Sequence, residues 1–414
     1  MRLSWLQPDG KKLLLTRALR TFGYGFLAVA LGLYLQQLGM SALHVGVVLT
    51  AAVAGSALMN VFWSLAADRF GRRRTVVTMA LLMIAGGLLF AVTDRLWVLV
   101  LAALTGTVSA SSAEVGPFLT VEQAILPQTA PDDRRTWLFA LYDTLGNLAG
   151  AAGALFTGAV GLFARLGLTG ASAYRPLFLV YAAIGLLNLL LFLSLSSAVE
   201  AARVEGSRRF VGLHRSTGTV TRLSALFGLD ALAGGFVVQS IVAYWFHLRW
   251  GLSPATLGVL FFWAGLLSGL SLLAASWLAR RFGLLNTMVF THLPSNLLLV
   301  LVPLAPVAWL AVLLFLARMS VSQMDVPTRK SYTMAVVDPD ERTATAGITN
   351  VARTAASAVS PVLSGAAIGV GALALPFLVA GGLKILYDGL IYLAFRDVHP
   401  PEEQGRLAPG RSRM

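Results

Sequence analysis

The sequence predicts an all-α integral membrane protein built as two pseudo-symmetric bundles of six transmembrane helices. Three observations carry this. The chain of 414 residues is 57% hydrophobic and only 12% charged, about half the charge of a soluble domain. Apolar segments of the roughly 20 residues that a helix needs to cross a bilayer recur from end to end, separated by short polar breaks. Finally, three short sequence matches return at nearly one offset.

The spans follow in order from length and hydropathy. The first, 13–37, comes after the polar MRLSWLQPDGKK, which lacks a small-residue cleavage site and so argues against a removable signal peptide. The second and third, 44–67 and 75–93, flank the charged stretch ADRFGRRRT. The fourth and fifth, 96–126 and 137–163, flank Pro131-Asp132-Asp133-Arg134, and the sixth, 176–198, runs into a basic segment. The second set is 223–247, 255–279, 285–304, 307–335, 345–371 and 374–395, followed by the tail PPEEQGRLAPGRSRM.

Repetition divides these twelve into halves. Pro131-Asp132-Asp133-Arg134 returns as Pro339-Asp340-Glu341-Arg342, each time just after a span containing a proline, Pro117 or Pro327. Arg69-Phe70-Gly71 returns as Arg281-Phe282-Gly283, and Gly25-Phe26 as Gly235-Phe236. The domains expected are an N-terminal bundle over 1–198, a cytoplasmic linker over 199–222 and a C-terminal bundle over 223–414. Two parallel repeats with a site near mid-membrane are a transporter architecture.

Net charge is +13, which in a soluble protein would point to nucleic acid; here topology explains it, because basic residues concentrate on cytoplasmic loops. Of the 32 Lys and Arg, four lie inside spans (Arg20, Arg318, Arg353, Lys384) and four at one face (Arg95, Arg165, Arg175, Arg249), leaving 24 at the other. Both termini are therefore expected in the cytoplasm, in the cytoplasmic membrane. Without cysteine, disulfides, thiolate catalysis and cysteine metal sites are excluded. No HExxH, GxSxG or GxxxxGKS motif occurs, so an enzyme is not expected. The linker and tail are too short to fold alone, which disfavours a sensor. The partners expected are a small-molecule substrate and the lipid bilayer, with no nucleic acid, and the chain is expected to act as a monomer. No cofactor is expected; an ion gradient, of protons, is expected as the energy source.

The stretch AADRFGRRRT between the second and third spans resembles the signature loop of the major facilitator superfamily, and helix number, inside termini, the 6+6 repeat and the loop position agree with that family along the whole chain. It departs from the pattern where the leading glycine falls on Trp63 or Ser64, and the second-half copy has Arg280 at the position of Asp68. The antiporter motif of helix five is hinted at only by Gly146, Gly150 and Gly153. The resemblance implies that the loop, with Asp68, Arg69, Gly71 and Arg72, is a latch on the inner gate; for Arg72, Arg73 and Arg74, anchoring of topology is the competing reading. It also implies that helices one, four, seven and ten line a central cavity, with five and eleven at its border.

Ionisable residues fall on those helices, where each costs about 2.5–3.5 kcal/mol on the insertion scale and persists when paired or facing a cavity. Glu114 on helix four is the first choice for a proton-binding group, against a structural pairing with Arg318 or Arg353. Glu122 aligns with Lys330 through the repeat, so a cross-half ion pair at the inner gate is expected. Asp230 on helix seven is matched in depth by Arg20 on helix one, and the two are expected to pair. Asp143 and Asn147 share a face of helix five; Gln239 and Gln323 are further candidates for substrate contact. Asp325, with Arg329 and Lys330 after it, reads either as a set of gate charges or as the mark of the membrane boundary, and Arg353 is a further candidate gate charge. Lys384 and Asp388 stand one turn apart and read as a structural pair, and His292 reads as a packing residue. Phe26, Tyr142, Trp245 and Trp263 are candidates for an apolar wall. Five buried acids against three arginines favour proton-coupled efflux of a small organic compound. The second reading is transport of an organic anion on Arg20, Arg318 and Arg353, because guanidinium groups bind carboxylate and phosphate in bidentate fashion.

Overall fold

The computed structural model describes residues 5–112, 116–200, 213–338 and 341–398, and among them no strand occurs. Helix α1 is Pro8–Gln37, with proline at its first turn, where its missing N–H costs nothing. Helix α2 is Ala42–Phe70, capped by the Ser41 hydroxyl. It turns into α3, Arg72–Val92, through Gly71 at φ 102°, a left-handed conformation that favours glycine. Among the described residues, ten helices are long and apolar enough to cross a membrane.

The two remaining predicted spans are each broken. The fourth is α4, Leu96–Leu104, and α5, Pro117–Ile125; the tenth is α13, Ala308–Met319, and α14, Asp325–Ala335. In the fourth, the stretch TGTVSASS leaves the helix. Hydroxyls take over for the lost ladder: Ser109 Oγ donates to the Ser111 carbonyl at 2.6 Å, and the Tyr181 hydroxyl donates to the Thr107 carbonyl. Irregular backbone at membrane depth persists only where protein groups satisfy it in this way.

Between these lie α6, Arg135–Phe156, α7, Ala159–Arg165, and α8, Arg175–Leu193. The second half continues with α9, Thr217–Gly235, α10, Gln239–Trp250, α11, Pro254–Phe282, and α12, Leu284–Leu301. After α13 and α14 come α15, Arg342–Gly369, and α16, Leu375–Phe395. The repeated Gly-Phe pair differs between halves. At Gly25 helix α1 runs through, whereas at Gly235 helix α9 ends. The glycines of helix five serve packing: a Cβ on Gly150 would press on Ser112 at 3.4 Å, and one on Gly153 would strike the Phe22 backbone of α1.

Two compact units organise the contacts. The first comprises Met1–Glu205, Phe236–Leu266 and Ala358–Pro376, and its core includes Leu13, Trp63, Met79, Phe118 and Tyr142. Within it, the start of α10 is tied to the break in the fourth span. Gln239 Oε1 accepts from Ser112 N and Oγ at 3.0 and 2.8 Å, and Ser240 Oγ donates to the Ala28 carbonyl at 2.8 Å. The C-terminal part of α15 packs on α2, where Val362 N donates to Thr50 Oγ1 at 2.9 Å. The second unit comprises Gly206–Gly235, Leu267–Ser357 and Phe377–Met414, with a core of Leu223, Phe227, Met288, Tyr332, Tyr387 and Ile391.

Candidate functional site

In the first unit, Thr16 and Arg20 stand one turn apart on α1, a spacing that puts both on one helix face. Pro117 starts α5 and brings Glu122 opposite them. Arg20 Nη1 and Nη2 donate to Glu122 Oε1 and Oε2 at 2.8 and 2.6 Å, the Thr16 hydroxyl donates to Oε1 at 3.0 Å, and the Tyr142 hydroxyl to Oε2 at 2.5 Å. Arg20, Glu122 and Tyr142 are fully buried, and the guanidinium lies 4.4 Å over the Phe118 ring. Two sequence expectations are corrected here. Glu122 pairs with Arg20 and not with Lys330, which is exposed; Arg20 gives its fork to Glu122 and not to Asp230. Bidentate geometry explains the preference.

In the second unit, α9 presents Asp230 to three cations. Its Oδ1 accepts from Lys384 Nζ at 2.5 Å, and its Oδ2 accepts from Arg329 Nη1 at 3.1 Å and Arg353 Nη1 at 3.2 Å. Arg329 also reaches Asp325 at 2.8 Å, one turn before it on α14. Lys384 therefore answers Asp230 rather than Asp388, the neighbour assigned from the sequence. Asp388 is held instead by His292 Nδ1 at 2.7 Å and Asn296 Nδ2 at 2.8 Å. His292, read from the sequence as a packing residue, joins the cluster, with Nε2 3.9 Å from Asp230 Oδ1.

Arg318 lies at the end of α13, beside the break at 320–324. Its Nη1 donates to the Met319 sulfur at 3.2 Å, and its buried Nε meets no partner among the described residues. Gln323 is half-buried in that break. Gln239 and Ser112 bind each other, so Gln239 closes off a broken helix end. Asp143 and Asn147 are exposed on α6, and Asp143 comes within 4.0 Å of Arg17 on α1. Glu114 lies outside the described residues. Of the expected apolar wall, Phe26, Tyr142 and Trp245 are buried and Trp263 is half exposed.

At the loop that precedes α3, Arg72 Nε donates to Asp68 at 2.9 Å and its Nη1 to the Ala124 carbonyl at 3.2 Å; Arg69 is exposed. The N-terminus of α3 is capped by Glu200, which accepts from Arg72 N at 2.7 Å and Arg73 N at 3.3 Å, a favourable place for a carboxylate. Ahead of α9, Glu341 accepts from the N–H groups of His214, Arg215 and Ser216 at 2.5, 2.7 and 2.8 Å. The Ser216 hydroxyl and these N–H groups, working against burial, hold its carboxyl at about 2. Sequence reasoning missed Thr16, Asn296, Glu200 and Glu341 as partners. Asn296 carried a signal: it follows His292 by one turn, a polar pair on one face of an apolar span.

The family model for the Major Facilitator Superfamily matches residues 13–361. The chain belongs to the major facilitator superfamily. It is 27% identical over 413 residues to the uncharacterized membrane protein YJR124C of Saccharomyces cerevisiae, covering 92% of each chain. Among solved structures it is similar to nucleoside transporter NupG, at 14% identity and TM-score 0.73, over 94% of this chain and 100% of that one. It is similar also to a bacterial homolog of the human lysosomal transporter Spinster in an inward-facing, occupied conformation, at 14% identity and TM-score 0.72, over 94% and 96%. A peptide transporter POT in complex with sulfate matches at 16% identity and TM-score 0.73, over 98% and 96%. At these identities the likeness is one of fold. Family and fold make this superfamily member a multi-pass membrane transporter.

Proposed function

We propose that the protein is a secondary active transporter that moves a small organic compound by alternating access, with coupling to protons through the Asp230 cluster. The observation that carries this is His292. Its Nδ1 lies 2.7 Å from Asp388 and 3.1 Å from the Asn296 amide nitrogen, and its Nε2 lies 3.9 Å from Asp230. A second proton on the ring makes it an imidazolium between two carboxylates, Asp388 and Asp230. When that proton arrives, Asp230 gains a fourth cation. The grip of Lys384, Arg329 and Arg353 on it is then shared, which supplies a charge change able to bias a two-state element.

Glu114, the sequence-based choice for a proton group, is retained as a second one. Asp68 with Arg72 is retained as the inner latch, supported by the tie from Arg72 to the end of α5. We place both termini in the cytoplasm, on the charge distribution of the loops, and take the chain to act as a monomer in the cytoplasmic membrane. The sequence favours export against proton influx.

The test is transport in proteoliposomes under an imposed pH gradient in both orientations, over a panel of lipophilic cations and organic anions. Accumulation driven by the gradient is expected in the wild type, with at least a tenfold loss, about 1.4 kcal/mol of coupling, in His292→Gln and in Glu114→Gln. Substrate movement indifferent to the gradient and to both variants sinks proton coupling and leaves facilitated diffusion.

A further inference from the structure

Around Asp230 the described residues of the second unit carry more positive charge than negative. Asp230, Asp325 and Asp388 stand against Arg318, Arg329, Arg353 and Lys384, so with His292 neutral one cation is in surplus. The acids are already engaged at short range. Both oxygens of Asp230 are occupied by Lys384, Arg329 and Arg353, Asp325 by Arg329, and Asp388 by His292 and Asn296. Asp325 and Asp230 are the carboxylates whose charge Arg318 feels, yet no ion pair joins it to either among the described residues.

What Arg318 does hold is poor. Among the described residues its hydrogen bond goes to the Met319 thioether, a weak acceptor, and its buried Nε meets no partner. The Arg318 side chain is half-buried with its Nε shut off from water, so the ion loses solvation there without regaining charge-assisted hydrogen bonds. A guanidinium keeps its charge at all working pH, so the cost is not relieved by losing a proton. It is relieved by an anion. The position suits one: α13 ends at Met319, and the chain is irregular through 320–324 before α14 begins, bringing the half-buried Gln323 amide to the same break. Discontinuous membrane helices place backbone and side-chain donors where a ligand can use them.

We propose that Arg318 binds the substrate, and that the substrate is a small organic anion whose carboxylate, sulfate or phosphate group takes the guanidinium fork at the break between α13 and α14. This rests on the transporter reading and names its substrate class. A lipophilic cation is disfavoured at the same place, since it would add to the surplus charge.

The experiment is equilibrium binding to the purified full-length protein in detergent with no gradient. The probes are citrate, benzoate, phenyl phosphate and sulfate, set against the uncharged benzamide and the cation tetraphenylphosphonium. The wild type is expected to bind at least one of the anions at least tenfold more tightly than benzamide or the cation. That affinity is expected to fall by about tenfold or more in Arg318→Gln, the scale of a lost charge-assisted hydrogen bond, and by less in Arg318→Lys, which keeps the charge but not the fork. Preference for the cation or the neutral probe, no binding of any anion up to millimolar concentration, or anion binding unchanged in Arg318→Gln overturns the proposal. The comparison of probes on the wild type decides it even where a variant does not fold. Because no gradient enters, failure here leaves proton coupling standing, and indifference to a pH gradient in liposomes leaves the anion site standing.

Discussion

Arg20 and Glu122 in the first unit face each other with matched charge, and Thr16 and Tyr142 fill the remaining oxygen sites. In the second unit Asp230 is divided among Lys384, Arg329 and Arg353, Asp325 and Asp388 draw on neighbouring groups, and Arg318 remains without an acid contact among the described residues. Both sites are buried and ionic, but only one has slack. A closed, bidentate pair has a single good arrangement, and any proton or ligand that reached it would have to break it. A cluster in which one carboxylate serves three cations can lose or gain a partner and still be satisfied. The first is suited to holding helices α1, α5 and α6 in fixed relation, the second to responding.

The largest effect that tests this contrast is on stability in the first unit. Glu122→Gln strands a buried guanidinium and is expected to lower the unfolding free energy by about 3–5 kcal/mol, read as a loss of unfolding temperature in detergent. The double variant Arg20→Met with Glu122→Leu is expected to regain most of that loss, because an apolar pair of similar volume avoids the desolvation cost altogether. If the double variant is as unstable as the single one, the pair is more than a lock and the contrast breaks. A smaller effect is expected in the second unit. Lys384→Met removes one of three cations from Asp230, and the other two remain at 3.1 and 3.2 Å, so the cost is about 1.5–3 kcal/mol, that of one charge-assisted hydrogen bond. A loss as large as that of Glu122→Gln would show that Lys384 and Asp230 form a pair as closed as the first.

The contrast also marks what the sequence made legible. The membrane helices stood out because lipid-facing and buried positions are both apolar, and the breaks in the fourth and tenth predicted spans were missed because length and hydropathy do not register a break. The stretch TGTVSASS before Pro117 held that information in its hydroxyls, which satisfy backbone freed from a helix. Arg20, Glu122, Asp230, Asp325 and Arg353 lie in the two clusters, but the second also draws His292 and Asn296 from the ninth predicted span and Lys384 and Asp388 from the twelfth. The partners were not legible. Glu122 was matched to Lys330 because the repeat aligns them, but repeat-related positions are equivalents under a symmetry, and equivalence says nothing of contact. Arg20 and Glu122 are 102 positions apart and Asp230 and Lys384 are 154 apart, separations that no local spacing encodes. The i, i+4 reading of Lys384 and Asp388 failed for the same reason: a closer carboxylate came from a distant helix.

The smallest expected effect carries the comparison to the helix starts, where Glu200 caps α3 and Glu341 gathers three N–H groups ahead of α9. Glu341 is held from its ordinary 4.5 down to about 2 by the Ser216 hydroxyl first and the Arg215, His214 and Ser216 N–H groups with it. A carboxyl whose titration is lowered by folding binds its proton more readily in the unfolded chain, so it stabilises the folded state above about pH 4.5 and loses that contribution as the pH falls toward 2. The gap in unfolding temperature between the wild type and Glu341→Gln is therefore expected to be constant from pH 7 to about pH 5 and to shrink below it. The same scan on Glu122→Gln sharpens the distinction, because the glutamate there is paired with a guanidinium, whereas Glu341 takes backbone N–H groups and stands 2.9 Å from the His214 ring. A gap for Glu341→Gln that widens on acidification would show that its carboxyl is already protonated in the folded protein, and that the N–H groups of residues 214–216 are held by something other than its charge.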